Sequence, residues 1–217
     1  MADPDSRQGL HYANGAILDW VDRLHSAHDK ALERTFTAPD REGMPPIQVG
    51  RGEGKLLWML LRLIGARTAV EIGTLAGYSA MHIVRALGPD GRLWTIESEP
   101  HHAEVARANF VAAGVASQIE IVIGSALDVL PVLEHHAPFD AVFIDADKQN
   151  YPAYGEWAHR NLRSGGLLIA DNAFLFGELL DDNERGHRMR QFHENTARDF
   201  ATVCVPTPDG VLVGLKP

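Results

Sequence analysis

Short apolar runs alternate with helical stripes along most of this chain. Thr68 to Ile72, Arg92 to Ile96, Ile119 to Ile123, Phe139 to Asp145 and Leu167 to Ala170 are β-rich, and helical segments lie between them. Repeated strand, helix, strand order implies a parallel sheet, because each parallel pairing needs a crossover and the crossovers cover both faces. Two last runs, Ala201 to Val205 and Val211 to Leu215, are joined by Pro206-Thr207-Pro208-Asp209-Gly210. That link is too short for a parallel crossover, so the pair is expected to form an antiparallel hairpin at the sheet edge. The pattern predicts an α/β fold: a doubly wound, mostly parallel seven-stranded sheet with an antiparallel edge hairpin and extra N-terminal helices.

Ahead of the first strand, Ile17, Leu18, Val21, Leu24, Ala27, Ala31 and Leu32 recur at three- and four-residue spacing, predicting one amphipathic helix from about Asn14 to Arg34. The breaker-rich stretch from Ala38 to Pro46 reads as a loop, and a second helix is expected from Gly52 to Ile64. Too little chain precedes that loop for an independent core. The expectation is therefore one domain over 1–217, with 1–46 an N-terminal helix and loop and 47–217 the core.

Composition narrows the class. With 217 residues, 45% of them hydrophobic and 23% charged, the chain has the make-up of a globular enzyme and not of a disordered or fibrous one. Its formal charge of -9 would repel a phosphate backbone on average, which favours a small-molecule partner over nucleic acid. No run of 18 apolar residues is present, so no membrane span is expected, and the start Met1-Ala2-Asp3-Pro4-Asp5 lacks a secretory leader's pattern. The lone Cys204 has no partner for an internal disulfide and sits in a strand pattern, where it reads as packing. A cytoplasmic location is expected.

In such a sheet, chemistry belongs at the carboxyl ends of the strands. The first strand runs into Glu71-Ile72-Gly73-Thr74-Leu75-Ala76-Gly77-Tyr78-Ser79, a glycine turn opening a helix. Its Gly-x-x-x-Gly spacing differs from the Gly-x-Gly-x-x-Gly of dinucleotide sites, and Glu71 would repel a pyrophosphate. The second strand ends at Glu97, placed where a carboxylate can accept both hydroxyls of a ribose. At the end of the Phe139 strand stand Asp145, Asp147 and Lys148, and at the end of the next Asp171 and Asn172. Carboxylates and an amide without Cys or His suit a hard cation such as Mg²⁺ or Ca²⁺. A lone Asp at a strand end is usually a turn former or cap, but two such positions on adjacent strands favour a ligand set. His101-His102 and His135-His136 read as solvated surface.

The segments Val70-Glu71-Ile72-Gly73-x-x-x-Gly77-Tyr78-Ser79, Phe139-Asp140 through Asp145-Ala146-Asp147-Lys148-x-Asn150-Tyr151, and Gly165-Gly166-x-x-x-x-Asp171-Asn172 resemble the cation-dependent O-methyltransferases that use S-adenosylmethionine, the caffeoyl-CoA and catechol O-methyltransferase type with its bacterial homologues. The resemblance runs in order from about Ile47 to Lys216. It implies a Rossmann-like single methyltransferase domain, an S-adenosylmethionine cofactor and a divalent cation (Mg²⁺, with Ca²⁺ or Mn²⁺ as alternatives). It assigns Asp145, Asp171 and Asn172 to the metal and Lys148 to the catalytic base. Val49, Glu71, Gly73, Thr74, Ser79, Glu97, Ala126, Asp145 and Asp147 would line the donor pocket. Tyr154, Phe174 and Phe176 are candidates for the acceptor side. The Asp-Asn pair leads here into Ala173-Phe174-Leu175-Phe176-Gly177 in place of the plant enzymes' apolar-Trp-x-Gly loop, so the acceptor wall is this chain's own. The implied reaction is metal-dependent methylation of a small phenolic, catechol-like acceptor by a homodimer. The alternatives are methylation of a hydroxylated tRNA nucleoside and a nicotinamide-dependent oxidoreductase.

Overall fold

The computed structural model describes residues 13–217. Among the described residues, the helices before the sheet are α1 (Gly15–His25), α2 (Lys30–Phe36), α3 (Ala38–Glu42) and α4 (Arg51–Leu63). The sheet units follow: β1 (Thr68–Ile72), α5 (Tyr78–Leu87), β2 (Arg92–Glu97), α6 (Pro100–Ala112), β3 (Ile119–Ile123), α7 (Ala126–Leu133), β4 (Phe139–Ile144), α8 (Tyr151–Asn161) and β5 (Leu162–Ala170). After α9 (Glu184–Asp199), β6 (Ala201–Val205) and β7 (Val211–Leu215) finish the chain. Among the described residues no helix is long and apolar enough to cross a membrane.

Strand order is β3-β2-β1-β4-β5-β7-β6. The four pairings among β1 to β5 are parallel, while β7 runs antiparallel to both β5 and β6, as the short link before it required. Alternation along each strand splits the core in two. Val70, Ile72, Trp94, Ile96, Val142 and Ile144 point to the face covered by α7, α8 and α9, packing with Leu130, Trp157 and Phe192. Ala69, Leu93, Ala141, Phe143 and Ile169 point to the other face, against Leu57 and Leu61 of α4, Met81 and Ile83 of α5, and Phe110 of α6.

The N-terminal region departs from the expectation in three ways. The single helix expected from Asn14 to Arg34 is two, because Asp29 caps a new helix by accepting from the Ala31 and Leu32 amides at 3.0 and 2.9 Å, and periodicity alone does not register a cap where the apolar stripe continues in phase. The expected loop after Thr37 contains a helical turn, α3, with Pro39 near its start and the left-handed Gly43 ending it. Residues before 47 also belong to the core: Leu32, Ala38 and Met44 are buried. His28 donates or accepts at 2.7 Å to the Tyr78 hydroxyl, and Phe36 packs edge-on to the Tyr78 ring. The boundary at 46 is thus a boundary in sequence pattern and not in packing. Near the other end, β5 begins five residues earlier than the expected Leu167.

Candidate active site

β1 lies between β2 and β4, so the direction of winding reverses there and a crevice opens at the strand ends. The ladders carry on one step past the strands. The Gly73 amide donates to the Ile96 carbonyl at 3.0 Å, Asp145 to Ile72 at 2.9 Å, and Asp171 to Ile144 at 2.9 Å. Register therefore sets Gly73, Asp145 and Asp171 side by side, although 72 and 26 residues of chain separate them.

The crevice is a cavity of about 730 Å³, within the usual size of a small-molecule site. Twelve residues singled out from the sequence line it: Val49, Gly73, Thr74, Ser79, Glu97, Ala126, Asp145, Asp147, Lys148, Tyr154, Asn172 and Phe176. Three others do not. Glu71 is wholly buried beneath the turn, Phe174 packs on Gly210 away from the opening, and Asp171 borders a small void on its far side with Glu53 and Phe143. His102, expected on the surface, lines the cavity instead, because it lies in the first turn of α6 and brings Nδ1 to 3.7 Å from Glu97 Oε1. An acid at a strand end followed by a histidine in the first turn of the next helix is the signal that could have found it. Ser125, Asn150 and Tyr78 also line the space.

Glu97 lines the cavity beside the glycine turn. Its Oε2 accepts the Thr74 and Leu75 amides at 3.2 and 2.8 Å, and its Oε1 accepts the Glu99 amide at 3.0 Å. These bonds fasten the glycine turn, including the left-handed Leu75 (φ 50). Glu97→Ala is expected to weaken binding of the methyl donor by about 1 to 3 kcal/mol, through lost charge-assisted acceptance and a looser turn. Titration calorimetry with the wild-type affinity retained would take Glu97 out of the donor site.

Beneath the turn, Glu71 Oε2 accepts from Thr95 Oγ1 at 2.5 Å, and Thr95 shares a 2.6 Å hydrogen bond with Thr74. Glu71 Oε1 has no hydrogen-bond partner among the described residues. Burial, reinforced by the charges of Asp145 and Glu97, pushes its carboxyl up to about 8 despite the hydrogen bonds that favour ionisation. It is therefore chiefly neutral at pH 7, and a cationic group brought against it would draw it back towards carboxylate.

On the other side, Lys148 Nζ stands 3.1 Å from Asp145 Oδ1 and donates to the Tyr151 hydroxyl at 2.8 Å, which itself donates to the Asp171 carbonyl at 3.0 Å. Asp147 is held from two sides, by Tyr154 Oη at 2.5 Å and Asn150 Nδ2 at 2.6 Å. The Tyr154 ring is buried, so its hydroxyl serves Asp147 first. Asp171 is buried with Oδ1 unpartnered. Burial raises its carboxyl, and the negative charges of Asp145 and Glu53 add to the rise. Two facing carboxylates, an unsatisfied oxygen and the Asn172 amide are a donor set that fits a hard divalent cation, which would remove the repulsion and satisfy the oxygen.

The chain matches the family described as O-methyltransferase over residues 24–216. A catechol O-methyltransferase from Mycobacterium tuberculosis is 46% identical over 165 residues, covering 76% of this chain and 74% of that protein. Another from Niastella koreensis is 44% identical over 94% of this chain and 95% of its own length. Among solved structures, the O-methyltransferase TomG from Streptomyces achromogenes, involved in tomaymycin synthesis and determined in complex with SAM, superposes with a TM-score of 0.88 at 38% identity, covering 93% of this chain and 96% of TomG. The O-methyltransferase from Bacillus cereus in complex with SAH gives 0.87 at 34% identity, over 93% and 97%.

Proposed function

This chain belongs to the S-adenosylmethionine-dependent O-methyltransferase family, and from that premise we propose that it methylates one hydroxyl of a small catechol-like acceptor with the help of a divalent cation, Mg²⁺ being favoured. The observation that carries the reading is that Asp145, Asn172 and Lys148 line one cavity at adjoining strand ends, with Asp171 buried next to Asn172 and in register with Asp145. Family membership disposes of the nicotinamide alternative. The formal charge of -9 supports a small acceptor over a tRNA nucleoside.

The donor supplies an electrophilic methyl on a sulfonium, and the cation supplies positive charge that favours the phenolate over the phenol. Everything else falls to the protein. Glu97 and the Gly73 turn hold the donor's ribose side, and the Asp145 carboxylate offers negative charge near the turn, with Glu71 chiefly neutral beneath it. Asp145, Asp171 and Asn172 would hold the cation, and the cavity walls would orient one acceptor hydroxyl towards the donor. Lys148 would take the acceptor's hydroxyl proton at Nζ in its free-amine form and pass it on to solvent. Phe176 walls the acceptor side, together with Ile47 at the rim. The deciding experiment incubates the protein with labelled methyl donor, Mg²⁺ and a catechol panel, with and without chelator. Transfer to catechols that stops with chelator supports the reading; chelator-resistant transfer, or transfer to tRNA alone, overturns it.

The same reading extends to a homodimer. Ile17, Leu18, Trp20, Val21 and Leu24 are exposed, and α1 buries none of its residues. Its apolar stripe thus has no cover among the described residues, and a second copy would supply it. Sedimentation equilibrium is expected to give about twice 23.8 kDa for the wild type, falling to one chain in a Trp20→Asp, Leu24→Asp variant. A single-chain mass for the wild type contradicts this.

A further inference from the structure

Three residues with side chains hold left-handed backbone just after β5: Asn172 at φ 53, Leu175 at φ 53 and Phe176 at φ 56. Such positions are disfavoured by sterics, and for a bulky side chain strongly so. Phe176 is also 60% exposed, although apolar. A strained, exposed aromatic persists where its surroundings over-determine it, and such residues concentrate at ligand sites.

Bonds inside the loop, from Leu175 N to Asn172 O at 2.9 Å and from Gly177 N to Phe174 O at 3.1 Å, shape its turns without placing it. Ala173 and Leu175 are buried in the core and His193 Nε2 of α9 lies 2.8 Å from the Ala173 carbonyl, while the Phe174 to Phe176 backbone is placed by the link between β6 and β7. The Ala173 amide donates to the Gly210 carbonyl and the Phe174 amide to the Asp209 carbonyl, both at 2.9 Å. The Phe176 amide donates to Asp209 Oδ1 at 2.8 Å. Gly210, at φ 74, lets the Phe174 ring lie where a Cβ would be 2.8 Å away, so the two segments are in close contact. Asp209 itself does not line the cavity, whereas Asn172 and Phe176 do.

We propose that Asp209 is a positioning residue for the methyl acceptor: its Oδ1 holds the Phe176 amide and so fixes the aromatic wall beside Asn172. The inference rests on the acceptor occupying the Phe176 side of the cavity, as read above. It makes the β6–β7 turn, which carries none of the strand-end motifs, a determinant of which flat apolar acceptors are retained. Because the side chain acts through one accepted hydrogen bond, an amide oxygen should replace it and a methyl group should not.

The test compares Asp209→Ala, Asp209→Asn and Phe176→Ala with the wild type, using catechol as acceptor. Asp209→Ala is expected to raise KM for catechol about tenfold with kcat within about twofold, and to leave donor affinity by calorimetry unchanged. Asp209→Asn should restore KM. Adding Asp209→Ala to Phe176→Ala should raise KM no further, since the group it positions is already gone. Hydrogen exchange across residues 172–178, measured without acceptor, should quicken in Asp209→Ala and not in Asp209→Asn, with β1 and β4 unchanged. An active wild type whose KM and exchange are indifferent to Asp209→Ala overturns the positioning role alone. A wild type inert towards every catechol overturns the acceptor reading and this inference with it.

Discussion

Asp171→Ala is expected to abolish methyl transfer, by two to three orders of magnitude at saturating Mg²⁺ or about 3 to 4 kcal/mol, while the folded protein becomes no less stable. The two halves have one cause. Asp171 is buried, its Oδ1 has no hydrogen-bond partner, and Asp145 and Glu53 repel its charge. A buried carboxyl in that position costs stability in the free protein. Removing it relieves the repulsion and leaves the Asp171 backbone amide free to keep its bond to Ile144. Initial rates with labelled donor, set beside thermal melts of the metal-free protein, check both halves. Activity within tenfold of wild type would remove Asp171 from the cation site; a melt lowered by many degrees would make it a structural residue.

The second large effect is expected at Gly73. A Cβ there would sit 2.0 Å from the Asp145 carbonyl oxygen, and the backbone is at φ 99, so a side chain meets both a clash and an unfavourable conformation. The oxygen is main chain and lies next to β4, so relief means parting the ends of β1 and β4. Gly73→Ala should therefore cost about 3 to 5 kcal/mol, lowering the melting temperature by roughly 10 °C, and should abolish donor binding. Gly65→Ala is the control, because Gly65 is also left-handed (φ 62) but has nothing within 4 Å of the added carbon. It should cost only about 1 kcal/mol. Equal melts for the two variants would show that backbone conformation, and not the strand-end clash, limits the site.

The local pattern specified a great deal here. The five parallel strands are short β-rich runs whose residues alternate between two helix-covered faces, and the Pro206 to Gly210 link forces the last pair antiparallel by its length alone. Glu97, Asp145, Asp147 and Lys148 were legible because a carboxyl strand end is a place the pattern itself marks. The capping that splits α1 from α2 was not, since the apolar stripe continues in phase across the break and only the hydrogen bonds of Asp29 reveal a start. Nor was the burial of Leu32, or the packing of half-buried Phe36 and His28 against Tyr78, which depends on where the N-terminal segment folds back.

Three features of the site belong to tertiary structure alone. Glu71 turns under the glycine turn and becomes neutral through burial, a property of its surroundings and not of its residue type. Phe174 and Phe176, alike in sequence, part company because the left-handed turn at Leu175 and Phe176 sends one ring onto Gly210 and the other to the cavity. Asp209 reaches Phe176 across 33 positions of chain only because β7 pairs with β5. Sequence by itself determined which residue types stand at each strand end, since period and spacing are local. Which of them face one another, and which are stripped of water, was decided by register and packing between segments far apart in the chain.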